Sequence, residues 1–240
     1  MAKKLIFTSE NNKQLQETNK TMKLAKVLIL SLSIILCASC GNPSKTSKVP
    51  TTPQEALTTL LNGNGRFVDG NMLNPNADME RVVATAPHQE PFAAIVGCSD
   101  SRVPVELIFD QGIGDIFVIR TAGNNVGGDM VMGSVEYAVD HLGVKVLLVL
   151  GHSSCGGVTS AISHGEHSGA VGNLLHHIQA DIPNFVGKPD MLDEAIVTHT
   201  HSQVATLLQN DIVAASIKAG KLIVKAAHYD IHTGKVTILD

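Results

Sequence analysis

Residues 97–104 read GCSDSRVP, which sets a thiol, a carboxylate and a guanidinium on alternate residues: Cys98, Asp100 and Arg102. They follow directly on the apolar run Phe92–Val96. Residues 151–157 read GHSSCGG and place an imidazole and a second thiol three residues apart, His152 and Cys155, after the apolar run Val144–Leu150. Two cysteines and one histidine are nitrogen and sulfur ligands suited to zinc. Three such ligands leave the fourth tetrahedral position open, the pattern of a catalytic rather than a structural zinc. His-x-x-Cys alone is a weak signal. Its pairing with Cys98, each motif following an apolar strand and a glycine, is a strong one. Asp100 and Arg102 complete the reading: the acid orients a nucleophile beside the metal, and the guanidinium keeps the acid ionised and in place.

Such residues need strand ends to carry them. Strand-like runs cover Phe92–Val96, Ile116–Arg120, Val144–Leu150 and Leu222–Ala227, with helical patterns at Val105–Phe109, Met130–His141, Gly156–His164, Asn173–Ile182 and Leu192–Lys218. A further helix begins at Pro53, capped by Thr52, with Ala56, Leu57, Leu60 and Leu61 on its apolar face. Alternating strands and helices predict an α/β fold with a mostly parallel central sheet flanked by helices. The closing HYDIHTGKVTILD predicts a strand, a glycine turn and an antiparallel edge strand. In such sheets ligands bind beyond the carboxyl ends of the strands. Both motifs sit there, and they converge if their strands are neighbours.

The bulk composition agrees. The chain has 240 residues, 44% hydrophobic, with a net charge of −4 and 3% aromatics. That is enough for one sizeable core, and it argues against nucleic acid as a partner, because neither a basic excess nor stacking platforms are present. GIGDIF lacks the third glycine of a dinucleotide fingerprint, since Phe117 stands there. GHSSC departs from a nucleophile elbow at Cys155. His164 and His167, and His199 and His201, read as exposed histidines rather than a second metal site.

The amino-terminal portion reads as processing sequence. Residues 1–21 are polar and aperiodic, and Met22 restarts the chain as an initiator would, which makes 1–21 an upstream over-read. Residues 22–40 form a signal peptide: Lys23 and Lys26, the apolar run Val27–Leu36, then small residues before Cys40. That run is short for a spanning helix. CASCGN resembles a lipoprotein signal, with Cys40 as the lipidated residue and Cys37 where leucine is usual. Residues 41–52 are a flexible tether and 53–240 the folded domain. The protein is thus expected to be exported, periplasmic or membrane-anchored, touching a membrane only through that lipid.

CSDSRVP, RTAGN and GHSSCGG, with LLNGNGRF early and YDIHTG late, resemble the β-class carbonic anhydrases from about Pro53 to Asp240. The resemblance implies Zn2+ on Cys98, His152 and Cys155, an Asp100–Arg102 dyad, and reversible hydration of carbon dioxide to bicarbonate and a proton by zinc-bound hydroxide. It also implies Gln89 and the Gly156 amide as hydrogen-bond donors to bicarbonate. Phe117 and Tyr137 become aromatic cleft walls, shared with a partner subunit in a homodimer or tetramer. Part of the family carries a tryptophan three residues before the first zinc cysteine and rests in a bicarbonate-stabilised closed state. Here that residue is Ile95 and the chain has no tryptophan, which implies the open arrangement. Three other readings share these residues: a carbon disulfide or carbonyl sulfide hydrolase on the same fold, a non-catalytic zinc module closed by Asp100, and a cysteine hydrolase using Cys98 and His152. The last leaves Cys155 unexplained.

Expressed with its own leader, the protein is expected to mature with lipidated Cys40 as its first residue, and Cys40→Ser is expected to release it from membranes. Mass spectrometry of the mature chain checks this, and a peptide from residues 5–20 would remove Met22 as the start.

Overall fold

The computed structural model describes residues 49–163, 165 and 167–239. The expected over-read, the signal peptide with Cys40, the tether as far as residue 48, and His164 lie outside the described residues.

A reciprocal cap starts helix α1 (Pro53–Val68): Thr52 Oγ1 accepts from the Glu55 amide at 3.2 Å, and the Glu55 carboxylate accepts from the Thr52 amide at 3.3 Å. A short helix α2 (Met79–Thr85) follows, capped by Asp78, whose carboxylate accepts from the Arg81 amide at 2.9 Å. The sequence reading passed over α2: Met79, Val82 and Val83 stand at helical spacing, but the helix is only seven residues long and none of them is buried. The chain then alternates: β1 (Ala93–Cys98), α3 (Val105–Ile108), β2 (Ile116–Thr121), α4 (Asp129–Glu136), β3 (Val146–His152), α5 (Gly156–Ile162), α6 (Gly169–Asp181), α7 (Leu192–Leu208), α8 (Asp211–Lys218), β4 (Ile223–Tyr229) and β5 (Val236–Leu239).

The five strands lie in the order β2-β1-β3-β4-β5, parallel except for the antiparallel β4–β5 edge. This is the expected architecture, with shifted boundaries. β1 and β3 run on through the residues expected to do chemistry, so Cys98 and His152 are the last strand residues. The single helical pattern over Leu192–Lys218 is two helices. Asn210 divides them, its side chain accepting from the amides of Ile212 and Val213 at 3.0 and 3.2 Å and capping α8. The pattern over Met130–His141 ends in one turn of π-helix at Tyr137–His141.

Every residue of β1 and β3 is buried, which explains their unbroken apolar runs. Ile95, Val146, Leu148 and Leu150 pack with α1 and α3 on one face. Ala94, Val96, Leu147 and Val149 pack on the other against Val135, Ala138, Leu207 and Val213. A third cluster, with Val158, Ile162, Ile178 and Ile196, surrounds Cys98 and Cys155. Each large apolar side chain so buried contributes about 1.5–3 kcal/mol. Among the described residues no helix is long and apolar enough to cross a membrane.

Register does the positioning. β1 pairs β3 with Gly97 opposite Leu150, and β1 pairs β2 with Cys98 opposite Thr121. Both reactive strand ends therefore emerge side by side. Gly151, just before His152, has no room for a side chain: a Cβ would run into the Thr200 hydroxyl on α7 and come 3.6 Å from Ile196 Cγ2. Gly151→Ala is expected to lower stability by about 1–3 kcal/mol through overpacking, read as an earlier urea midpoint with an unchanged slope.

Candidate metal centre

Cys98 Sγ and Cys155 Sγ lie 4.0 Å apart, both cysteines buried and unbridged. A disulfide would require about 2.05 Å. Two sulfurs on one tetrahedral zinc, with bonds of about 2.3 Å, sit about 3.8 Å apart. The ligand atoms of Cys98, His152 and Cys155 all lie within 4.8 Å of one another.

The imidazole is arranged for the same purpose. His152 Nδ1 stands 3.0 Å from the Ser153 carbonyl. A carbonyl can only accept, so Nδ1 carries the proton and Nε2 presents its lone pair. His152 is 0% exposed, and its Nε2 has no hydrogen-bond partner among the described residues. Leaving a buried polar atom unpaired costs about 1–3 kcal/mol. A zinc ion between this nitrogen and the two sulfurs removes that cost, so the residues fit the metal.

The turn between the ligands is pinned at several points. The Ser153 amide donates to the Tyr229 carbonyl at 3.1 Å, and Ser153 Oγ accepts from the Ile231 amide at 3.0 Å. Ser154 takes a left-handed φ of 55°, uncommon for a residue with a side chain, and its carbonyl accepts from Arg102 Nη2 at 3.1 Å. Gly157 lets α5 approach the turn after β2, since a Cβ there would meet Gly123 N at 3.2 Å. No neighbour requires glycine at Gly156, whose amide opens α5 beside Cys155.

Asp100 and Arg102 form a two-pronged pair. Arg102 Nε donates to Oδ1 at 3.0 Å and Nη2 to Oδ2 at 2.7 Å, while the Arg102 amide adds a bond to Oδ1 at 2.9 Å. Arg102 holds the Asp100 carboxyl down at about 2, against some opposition from burial. The acid is therefore ionised at neutral pH. Asp100 Oδ2 faces His152 Nε2 at 4.0 Å, engaged by Arg102 rather than turned in among the ligands.

Sequence reading missed a second guanidinium. Arg120, at the end of β2, donates through Nε to the Cys98 carbonyl at 3.0 Å and through Nη2 to the Asp100 carbonyl at 2.7 Å. The available signal was a cation closing an otherwise apolar strand. The turn Ala122–Asn124 also contributes: the Gly123 amide donates to Cys98 Sγ at 3.3 Å, beside the Asp100 amide at 3.4 Å.

The outer residues stand apart. Gln89 is exposed on the loop before β1. Phe117 is half-buried on β2, with its ring centre 6.2 Å from that of exposed Tyr137, which stacks on His141 at 5.1 Å. His199, read as exposed, is fully buried on α7. The side chains of Asp181 and Gln203 partner it there, so a histidine can sit in the core.

The two thiols are unequal. A hydrogen bond from Cys155 does most to bring Cys98 down to about 4. Burial opposes this, and the His152 ring with the Asp100 and Gly123 amides assists. Cys155 is pushed up by Cys98 and by burial. A divalent cation between the sulfurs would displace thiol protons. Zinc uptake at pH 7 is therefore expected to release protons to the buffer. Calorimetry in buffers of different ionisation enthalpy measures this, and a release near zero would contradict it.

A family model described as carbonic anhydrase matches residues 93–236. Carbonic anhydrase 2 of Mycobacterium tuberculosis is 37% identical over 196 residues, covering 79% of this chain and 94% of the relative. The carbonic anhydrase of Mycolicibacterium smegmatis is 38% identical over 194 residues, covering 78% and 93%. Among solved structures, a tetrameric β-carbonic anhydrase of Sordaria macrospora superposes with a TM-score of 0.62 at 29% identity, over 66% of this chain and 85% of that one. The Coccomyxa β-carbonic anhydrase in complex with acetazolamide gives 0.62 at 29%, over 76% and 86%.

Proposed function

We infer the chemistry from one premise, that this chain belongs to the β-class carbonic anhydrases: it is a zinc lyase that reversibly hydrates carbon dioxide to bicarbonate and a proton. The observation that carries the reading is the buried, unpartnered Nε2 of His152, facing two unbridged sulfurs beside an ionised acid.

Cys98, His152 and Cys155 would hold the zinc. When bound, zinc supplies Lewis acidity that makes a nucleophile of water near neutral pH. Two thiolates cancel its formal charge and weaken that acidity, so the protein must help. Asp100 does so as an acceptor-only carboxylate. It takes the hydrogen of the attacking oxygen and turns a lone pair toward the substrate. Arg102 keeps Asp100 charged and stops it from rotating, and Arg120 holds the backbone that carries it. Asp100 is held by Arg102 rather than turned in among the ligands, which favours an enzyme over a closed zinc module.

A linear, uncharged gas suits apolar walls, for which we assign Val103, Ala122, Phe117 and Tyr137. Gln89 and the Gly156 amide are assigned to the bicarbonate oxygens. The exposure of Gln89, Tyr137 and Met130 supports an oligomer in which a second copy closes the cleft, with a homodimer as the minimal unit. The leader in residues 22–40 supports an exported, lipid-anchored enzyme.

Stopped-flow carbon dioxide hydration with zinc content measured in parallel tests this reading. The native protein is expected to carry one zinc per chain and turn over. Cys155→Ala is expected to lose both, and Asp100→Asn to keep zinc while losing turnover by about 100-fold or more. An active, zinc-free Cys155→Ala protein would end the metal reading.

A further inference from the structure

The Gly123 amide is one of two backbone donors to the Cys98 sulfur, and the backbone there is not held by a side chain of its own. Gly123 sits at a left-handed φ of 71°, where glycine is the favoured residue. Something else must fix the direction of its N–H. On its other side, the Gly123 carbonyl meets His199 Nε2 at 2.8 Å, from the buried interior of α7. His199 Nδ1 in turn meets Asp181 Oδ2 at 3.0 Å, at the end of α6.

Both of these partners only accept hydrogen bonds. Nε2 faces a carbonyl, so it bears a proton. Nδ1 lies beside the Asp181 carboxylate and beside Gln203 Nε2, which is 3.4 Å away and also reaches Asp181 Oδ2 at 2.5 Å. The carboxylate further accepts from Ser202 Oγ at 2.7 Å. Burial pushes the Asp181 carboxyl up, but the bonds from His199 and Ser202 outweigh it and leave the group below its usual range. Gln203 Oε1 accepts from the Val126 amide at 2.8 Å, so the same network also grips the far end of the turn. Packing closes the remaining freedom: a Cβ on Gly123 would come 2.8 Å from Ile178 Cδ1, and one on Gly157 would come 3.2 Å from Gly123 N.

We propose that His199 is a positioning residue of the metal centre: held by Asp181 and Gln203, it donates from Nε2 to the Gly123 carbonyl and thereby aims the Gly123 amide at the Cys98 sulfur. This rests on the zinc reading of that site and deepens it. An N–H donated to a thiolate stabilises its charge and helps hold it in place, so loss of the bond raises the energy of the sulfur lone pairs and leaves the ligand easier to protonate and less well placed for the metal. Partners of this kind, one step out from the ligands, are typically worth about 10- to 100-fold in metal affinity.

The test uses the full chain with cobalt(II) in place of zinc, where the thiolate-to-cobalt charge-transfer band reports on the sulfurs. His199→Ala is expected to bind one cobalt with the band moved to longer wavelength, and to hold zinc about 10- to 100-fold more weakly. His199→Gln, whose amide can still donate to the Gly123 carbonyl, is expected to recover most of both. In the zinc-loaded native protein, nitrogen-15 spectra are expected to find a proton on His199 Nε2. That measurement stands even where His199→Ala, which strips Asp181 of a buried partner, does not fold. An Nε2 without a proton overturns the proposal. So does an unshifted band in folded His199→Ala, or a glutamine variant no better than alanine. All three leave the metal reading intact. A native chain that takes up neither zinc nor cobalt overturns the metal reading and this proposal together.

Discussion

Two sulfurs and an imidazole nitrogen are buried facing one another where two parallel strands end, and the surrounding structure answers to that juxtaposition. Such a cluster is unfavourable without a cation at its centre. Among the described residues His152 Nε2 has no hydrogen-bond partner, and the second sulfur resists giving up its proton next to the first. The protein lowers the penalty from outside. Two backbone amides point at Cys98, and the Ser153 carbonyl fixes the imidazole tautomer. What remains unsatisfied has the chemistry of a zinc site with one place free for solvent.

Two guanidiniums divide the work of holding the loop after β1. Arg102 engages the Asp100 carboxylate and the Ser154 carbonyl, so it ties the acid to the turn that carries the other two ligands. Arg120 grips the carbonyls of Cys98 and Asp100 from the neighbouring strand. The loop is thus braced by planar, multidentate donors as well as by Val103, which is buried in the core. That suits a segment whose acid is 16% exposed and whose Arg102 is 50% exposed. Lysine could not replace either one with the same geometry, because an ammonium has no fixed fork.

Comparison with relatives places this chemistry within a shared scaffold. Identity of 37–38% extends over nearly the whole of the mycobacterial relatives. The family model begins at Ala93, yet α1 lies before it and still contributes Ala56, Leu57 and Leu60 to the core under one face of the sheet. The structural unit is therefore larger than the catalytic motifs.

Much of this was legible in the sequence. Cys98, Asp100, Arg102, His152 and Cys155 lie in two short stretches, and local spacing with donor chemistry was enough to read them as one site. The parallel sheet followed from alternating elements, and the Thr52 cap from its neighbours. The misses have local physical causes. α2 spans seven residues and leaves its apolar Met79, Val82 and Val83 exposed, so the capping Asp78 and that short stripe were its marks. Asn210 broke a continuous helical pattern because its side chain satisfies the next helix's amides. Arg120 and His199 were passed over because each acts on backbone groups far away in sequence, at positions 98, 100 and 123.

What the sequence determined alone was the identity of the reactive groups and the kind of strand end that presents them, since both depend on neighbouring residues. Only the tertiary structure decided that β1 lies against β3, because buried parallel strands have interchangeable apolar patterns and carry no mark of which partner they pair with. It alone decided that a histidine on α7 belongs beneath the metal centre rather than in water. Burial and hydrogen-bond partners arise from contacts between distant segments, and no local pattern encodes them.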